Sequence, residues 1–309
     1  MQLSNWVEVR VQKKYDVAII GAGPAGVTTA IQLQRFGIRF LLFEQSRIGG
    51  LLNNAYLVEN YPGFPKGIAG MKLARKFKQH LEKQQINIIK EQVIKVTKNR
   101  DHFILHAKKI YHAAILVVAS GTKPKLPELD LRGFRRKIFF EVYPIRNTRN
   151  KTIVIVGVGD AALDYALNLS RHNRIIILNR DEKIKGLDLL FKRIRRLSAN
   201  HRTQIRYLKN IKVLIIKQLN NCLIIKVLKK RKKAEMVCSY IVFAIGRQPA
   251  IDFLAPAIRK KFPEGDSKKI HFIGDVRHGN FRQTAIAVGD GIQAAMKIHQ
   301  YLQTQKPQG

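Results

Sequence analysis

Cysteine is nearly absent: Cys222 and Cys238 are the two in 309 residues. Two thiols exclude a disulfide scaffold and any metal centre built mainly from thiolates. Acidic residues are also scarce, 21 against 57 Lys plus Arg, which leaves a formal charge of +36. Apolar runs of membrane length are missing. Val17 to Gln34 is uncharged for 18 residues, but its three glycines, one proline, two threonines and two glutamines read as strand, tight turn and helix. Met1 to Lys14 lacks the apolar centre of a secretory signal, so a cytoplasmic location is expected. The 10 prolines and 21 glycines are ordinary usage, against a collagen-like or low-complexity chain. What remains is 46% apolar residues, which excludes disorder, over a length that suits two domains or one interrupted by another.

The charge is unevenly placed. Leu189 to Ala234 holds 15 Lys plus Arg and no acid, including the run Lys229-Lys230-Arg231-Lys232-Lys233. Such a field attracts nucleic acid, anionic lipid or an acidic protein; a compositional bias with a solvated basic face is the plainer reading. The segment has no aromatic-interleaved pattern, which disfavours nucleic acid.

Two segments share one grammar. Tyr15 to Ile20 is an apolar strand, followed by Gly21-Ala22-Gly23-Pro24-Ala25-Gly26, a helical stretch to about Phe36 and a strand from Ile38 to Glu44. Thr152 to Val156 is a second strand, followed by Gly157-Val158-Gly159-Asp160-Ala161-Ala162, a helical stretch to about Arg171 and a strand from Arg174 to Asn179. In such a turn the first glycine permits the tight bend and the second lets pyrophosphate approach. The third position, Gly26 or Ala162, lets helix and strand pack closely. The helix N-terminus then offers backbone N–H groups to phosphate. Two copies imply two dinucleotide sites.

Spacing separates the two. Eighteen residues beyond Gly26 stands Glu44, whose carboxylate can accept hydrogen bonds from ribose hydroxyls. Eighteen beyond Ala162 stands Arg180, which either pairs with the 2′-phosphate of NADP or is a surface partner of Asp181. NADPH is therefore favoured over NADH. Three more apolar strands run into glycine turns: Ala113 to Gly121, Tyr240 to Gly246, and Lys269 to Gly274 with Asp275. Asp275, ahead of a helical stretch from Gln283 to Gln300, suits a ribityl chain or a helix cap. The nine histidines have no ligand spacing, so no metal site is expected.

Together these residues resemble the low-molecular-weight thioredoxin reductases. The resemblance rests on Gly21 to Gly26, Gly49-Gly50, Val58-Glu-Asn60-Tyr-Pro62-Gly63, Ala119-Ser-Gly121, the second glycine turn, Ala244-Ile-Gly246-Arg247, and Gly274-Asp275 with Arg282-Gln283. It implies an α/β chain of two Rossmann-like domains of the three-layer ββα type. The NAD(P) domain, residues 123–249, is inserted into an FAD domain made of residues 1–122 and 250–309. It implies a homodimer. It assigns FAD to Gly21, Gly23, Pro24, Ala25, Gly26, Glu44, Gly49, Gly50, Leu52, Asn60, Val93, Ala119, Gly121, Gly274, Asp275, Arg282 and Gln283. NAD(P)H falls to Gly157, Gly159, Asp160, Ala161, Ala162, Arg180, Ile245, Gly246 and Arg247. Asn60 comes near the flavin ring on this reading, and is also a plain turn residue ahead of Tyr61-Pro62-Gly63.

The redox centre departs from that pattern. By the family spacing the two cysteines of a Cys-x-x-Cys fall on Phe139 and Val142, and an acid on Tyr143. The chain's own cysteines lie 16 apart on separate expected strands, which suits buried thiols rather than a redox pair. Phe139-Phe-Glu-Val142 and Gly159 to Leu169 resemble the thioredoxin-reductase-type ferredoxin-NADP reductases, which lack the dithiol, whereas the segment around Asp275 is closer to the thioredoxin reductases. The expected activity is NADPH oxidation through FAD, with ferredoxin or flavodoxin as acceptor. Hydride transfer needs alignment rather than an acid or base, so no separate catalytic residue is expected. The alternatives are reduction of a small disulfide, quinone or other soluble acceptor, and a non-catalytic flavin-binding regulator.

Overall fold

The computed structural model describes residues 14–134, 136–199, 205–265 and 268–305. The reading of Met1 to Lys14 as no secretory signal falls on residues outside these, save Lys14, and Arg202 of the basic stretch lies outside them as well. The chain divides into two compact units, Met1–Gly50 with Ala74–Gly121 and Pro249–Gly309, and Leu51–Leu73 with Thr122–Gln248.

The first unit opens with β1 (Lys14–Ile20), whose Val17, Ala18, Ile19 and Ile20 are all buried, as a strand covered on both faces requires. Helix α1 (Pro24–Arg35) starts on a proline, which needs no N–H in a first turn, and Gly37 at φ +66° turns the chain out of it. That turn delays β2 to Phe40–Phe43, shorter than the strand from Ile38 to Glu44 that the sequence suggests. Helix α2 (Gly70–Lys83) is followed by β3 (Lys95–Lys98), β4 (Phe103–His106) and the long β5 (Ile110–Val118). The sheet runs β2-β1-β5-β4-β3, with β1 parallel to β2 and β5 and the last two pairings antiparallel. Alternate residues feed two cores: Val17, Ile19, Ile115 and Val117 on one face, Ala18, Ile20, Leu116 and Val118 on the other.

The second unit contains β6 (Thr122–Pro124), β7 (Ile138–Phe139), β8 (Thr152–Val156), α3 (Asp160–Leu169), β9 (Arg174–Leu178), α4 (Asp188–Ala199) and β10 (Ile205–Leu208). Then come β11 (Ile211–Leu219), β12 (Cys222–Lys229), β13 (Lys232–Cys238), β14 (Tyr240–Phe243) and β15 (Arg247–Pro249). A parallel sheet in the order β10-β9-β8-β14-β7 has α3 on one face, packed on Ile153, Ile155, Ile177 and Val242. On its other face Val154, Ile241 and Phe243 meet Leu223, Ile225 and Val227 of the antiparallel sheet β11-β12-β13. Helices, parallel sheet and antiparallel sheet make the three layers expected. Each fully buried aliphatic side chain there contributes roughly 1.5–3 kcal/mol. Residues 51–73 join this unit by polar contacts as well. Arg193 holds Glu59 through both guanidinium nitrogens at 2.6 and 2.8 Å, and the N–H of Tyr56 donates to Asp164 at 2.8 Å.

The chain then returns to the first unit as α5 (Pro256–Arg259), β16 (Ile270–Phe272), which pairs in parallel with β5, and the long helix α6 (Thr284–Gln303). Among the described residues no helix is long and apolar enough to cross a membrane.

Candidate cofactor sites

The two glycine turns are built alike. Gly21 leaves β1 at φ +105° and Gly157 leaves β8 at φ +124°. A Cβ on Gly21 would stand 2.4 Å from the carbonyl oxygen of Ala119, and one on Gly157 would stand 2.3 Å from that of Ala244. The fold itself therefore demands the first glycine of each turn. Gly26 is likewise internal, since its Cβ would lie 1.9 Å from the Gly21 oxygen. The middle glycines differ: Gly23 and Gly159 have ordinary φ values of −71° and −79°, and a Cβ on either meets nothing within 4 Å. Nothing in the protein's own packing asks for glycine there. The open space lies at the N-termini of α1 and α3, where backbone N–H groups have no helical acceptor, and it suits a pyrophosphate in both units.

In the first unit the surrounding residues converge on that turn. Glu44 accepts the Ala22 N–H on Oε2 at 2.9 Å and the Ser46 N–H on Oε1 at 2.8 Å, so its carboxylate is fixed beside the turn. The Gly49 N–H donates to the Ala22 carbonyl at 2.7 Å, and Gly50 comes close to Gly23. Gly274, at φ +71°, presses on α1: its Cβ would be 2.8 Å from that of Ala25. Gly121 ends the segment after β5 at φ +64°, Asp275 lies in the 3-10 turn Gly274–Val276, and Gln283 caps α6 directly after Arg282. Val93 is buried in the core among Val96 and Phe103, so its side chain is committed to packing. Leu52 and Asn60 fall in the segment that packs with the second unit.

In the second unit Asp160 opens α3 and accepts the Leu187 N–H at 2.7 Å, which draws Gly186 against Gly159. Ala161 is exposed and Ala162 is buried. Arg180 lies just beyond β9, its side chain 75% exposed and 3.6 Å from Asp181, while buried Asn179 pins the same loop through Lys183 and Tyr207. Ile245 is exposed, and Gly246 accepts the Lys125 N–H. Arg247 is committed: it donates to the Thr122 hydroxyl and carbonyl at 2.9 and 2.7 Å and to Glu141 at 3.2 Å.

Around positions 139–143, expected by resemblance to match a dithiol segment, the chain forms a polar knot. Val142 is fully buried and Phe139 packs edge-on to Tyr240. Asn54 accepts the N–H groups of Val142 and Tyr143 at 3.1 and 2.9 Å, and its amide donates to Glu141 at 3.2 Å. The bridge between Asn54 and Glu141 carried no signal in the sequence, since a side-chain contact across 87 residues leaves no periodic trace. Asp164, which holds the Tyr56 N–H, has its pKa pushed up to about 6 by burial, with the N–H groups of Tyr56 and Leu57 opposing. Cys238 is buried, which raises its thiol to about 12; Cys222, expected to be buried too, is only partly so.

A family model described as pyridine nucleotide-disulphide oxidoreductase matches residues 15–291. The chain belongs to that family. A thioredoxin reductase of Pneumocystis jirovecii is 30% identical over 93% of this chain and 94% of its own length. A 34.2 kDa protein in the rubredoxin operon of Clostridium pasteurianum is 27% identical over 95% and 99%. The crystal structure of Lactococcus lactis thioredoxin reductase superposes with a TM-score of 0.80 at 25% identity, covering 94% of this chain and 99% of that one. This pyridine nucleotide-disulphide oxidoreductase is thus an NAD(P)H-dependent flavin oxidoreductase of the thioredoxin reductase type, a type that binds FAD and NADPH.

Proposed function

We propose that this oxidoreductase passes electrons from NADPH through FAD to an acidic one-electron carrier, a ferredoxin or flavodoxin. The observation that carries the reading is the occupancy of positions 139 and 142 by Phe139, at the end of β7, and Val142, in the segment after it that Asn54 ties down. With no thiol pair at those positions, electrons leave from the flavin itself.

Bound FAD supplies the conversion of one hydride into two single electrons. NADPH then yields NADP⁺ and a proton, and two carrier molecules are each reduced by one electron. The chain's part is to bind and orient. Gly23 and the first turn of α1 receive the FAD pyrophosphate, Glu44 accepts its ribose hydroxyls, and Asp275 its ribityl chain. Gly159 and α3 receive the NADPH pyrophosphate, and Arg180 pairs with the 2′-phosphate. Asn60 comes near the flavin ring, and Leu52 belongs to the same FAD-binding set. A homodimer in the cytoplasm belongs to the same reading.

The hairpin between β12 and β13 supports an acidic carrier. Lys229 pairs with Lys232, leaving Lys230 and Arg231 as a two-residue turn at φ +45° and +68°. Positive φ at both positions calls for Asn and Gly. The same sheet's other hairpin uses Asn220 at φ +51°. Lys-Arg in such a turn is a strained choice, and what it yields is a tip of five consecutive exposed cations. Complementary charge speeds encounter with an acidic carrier by roughly 10- to 1000-fold and is screened by salt. The relative in a rubredoxin operon is in keeping with a protein electron carrier.

The test is anaerobic, NADPH-dependent reduction of an acidic ferredoxin or flavodoxin across a salt series. The rate should fall steeply with ionic strength, and Lys229→Glu with Lys232→Glu should lower it while leaving dye reduction unchanged. A rate indifferent to salt, or no faster than with thioredoxin or a small disulfide, replaces this reading with a small-acceptor reductase.

A further inference from the structure

We propose that Asp290 is a positioning residue for FAD, holding the Gly274–Val276 turn so that Asp275 is presented at a fixed height over the first turn of α1. The inference rests on the assignment of FAD to the first unit.

The turn is a three-residue 3-10 bend between β16 and the approach to α6. Gly274 is at φ +71°, so no side chain at its own position stiffens it, and a bend this short has little rigidity of its own. Its hold comes from α6. Oδ2 of Asp290 accepts the Gly274 N–H at 2.7 Å, and the same oxygen lies 2.6 Å from Nε2 of His278. An ionised carboxylate only accepts, so Nε2 carries the proton of that pair. One oxygen thus ties the first residue of the bend, Gly274, to His278, two residues beyond its end.

Asp290 is itself referenced to the pyrophosphate turn. Its neighbour Gly291 packs so tightly on α1 that a Cβ would stand 2.4 Å from the Ala25 oxygen, and the Thr29 hydroxyl donates to the Gly291 carbonyl at 3.2 Å. Ala25 is also the residue against which Gly274 is pressed. Asp290, Gly274 and the opening of α1 form one closed loop of contacts, so the distance from Asp275 to the Gly21–Gly26 turn is set by it. The Asp290 side chain is 16% exposed. A carboxylate so nearly buried adds little net stability compared with an apolar residue of similar shape, which suits a positioning role better than a packing one.

A double-mutant cycle on the apoprotein, read as the FAD dissociation constant by flavin fluorescence, tests this. Asp290→Ala should weaken FAD binding about 10-fold or more. Asp290→Asn, whose amide oxygen still accepts the Gly274 N–H, should retain affinity within about threefold of wild type. On an Asp275→Ala background the further loss from Asp290→Ala should shrink to threefold or less, because Asp290 acts through Asp275. Unchanged FAD affinity in Asp290→Ala, or losses that multiply fully with those of Asp275→Ala, overturn the proposal. Should Asp290→Ala not fold, Asp290→Ser takes its place in the cycle, its hydroxyl being one bond too short to reach the turn. Wild-type apoprotein that takes up no FAD overturns the flavin assignment instead.

Discussion

Glycine serves two purposes in these turns, and single substitutions separate them. Gly21→Ala must accommodate a Cβ against the Ala119 carbonyl at positive φ, so it destabilises the protein whether or not FAD is present. Gly23→Ala meets no atom and keeps an allowed φ, so the apoprotein should unfold within about 1 kcal/mol of wild type. Its FAD affinity should nonetheless fall at least tenfold, measured by titrating the apoprotein, because the methyl group occupies the space the pyrophosphate needs. Equal affinity would mean that the open space at Gly23 is not the phosphate site. On the proposed reading Arg180 is the corresponding residue for the coenzyme. Charge-assisted pairs are worth about 1.5–3 kcal/mol, so Arg180→Ala should reduce the NADPH over NADH preference in kcat/KM by roughly tenfold or more. An unchanged ratio would leave Arg180 as no more than the partner of Asp181.

The elements that periodicity can encode were readable from the chain. Both strand, turn and helix units stand where the glycine spacing puts them, and Glu44 lies beside the first turn as its distance from Gly26 implies. What escaped was polar and distant: Asn54 bridging to Glu141, and Asp290 reaching back to the Gly274 N–H, since a side chain's bond to a distant residue leaves no pattern in either neighbourhood. A weak signal did exist beside Asp290, because Gly291 inside a helix is costly and marks a close approach to α1. The grouping of residues 51–73 was hidden for the same reason, being held by Glu59, Tyr56 and Asn54. The β12–β13 hairpin puts its strain where it can be removed. Lys230→Asn with Arg231→Gly should stabilise the fold by about 1–2 kcal/mol in chemical denaturation. The same pair should slow reduction of an acidic carrier several-fold, with dye reduction unaffected. A more stable variant with an undiminished carrier rate would show the tip to be strained for some other purpose.

For the molecule as a whole, the decisive quantity is how many electrons it stores. A dithiol flavoenzyme holds four, two on the flavin and two on the sulfurs; a flavin alone holds two. On the proposed reading Phe139 and Val142 take the dithiol positions; the two cysteines sit in the antiparallel sheet of the second unit, Cys238 in the register position opposite Leu223. Burial pushes the Cys238 thiol up to about 12, so it stays protonated and is a poor nucleophile at neutral pH. Anaerobic titration with NADPH should therefore bleach the flavin at one equivalent per FAD. Cys222→Ser with Cys238→Ala should reproduce both that endpoint and the NADPH-dependent dye reduction. The alanine leaves a small cavity in the core, so this variant should lose about 1–2 kcal/mol of stability, which is measured separately by denaturation. An endpoint near two equivalents in wild type that falls to one in the double variant would mean that these cysteines form a redox pair, and electrons would then leave through sulfur rather than directly from the flavin.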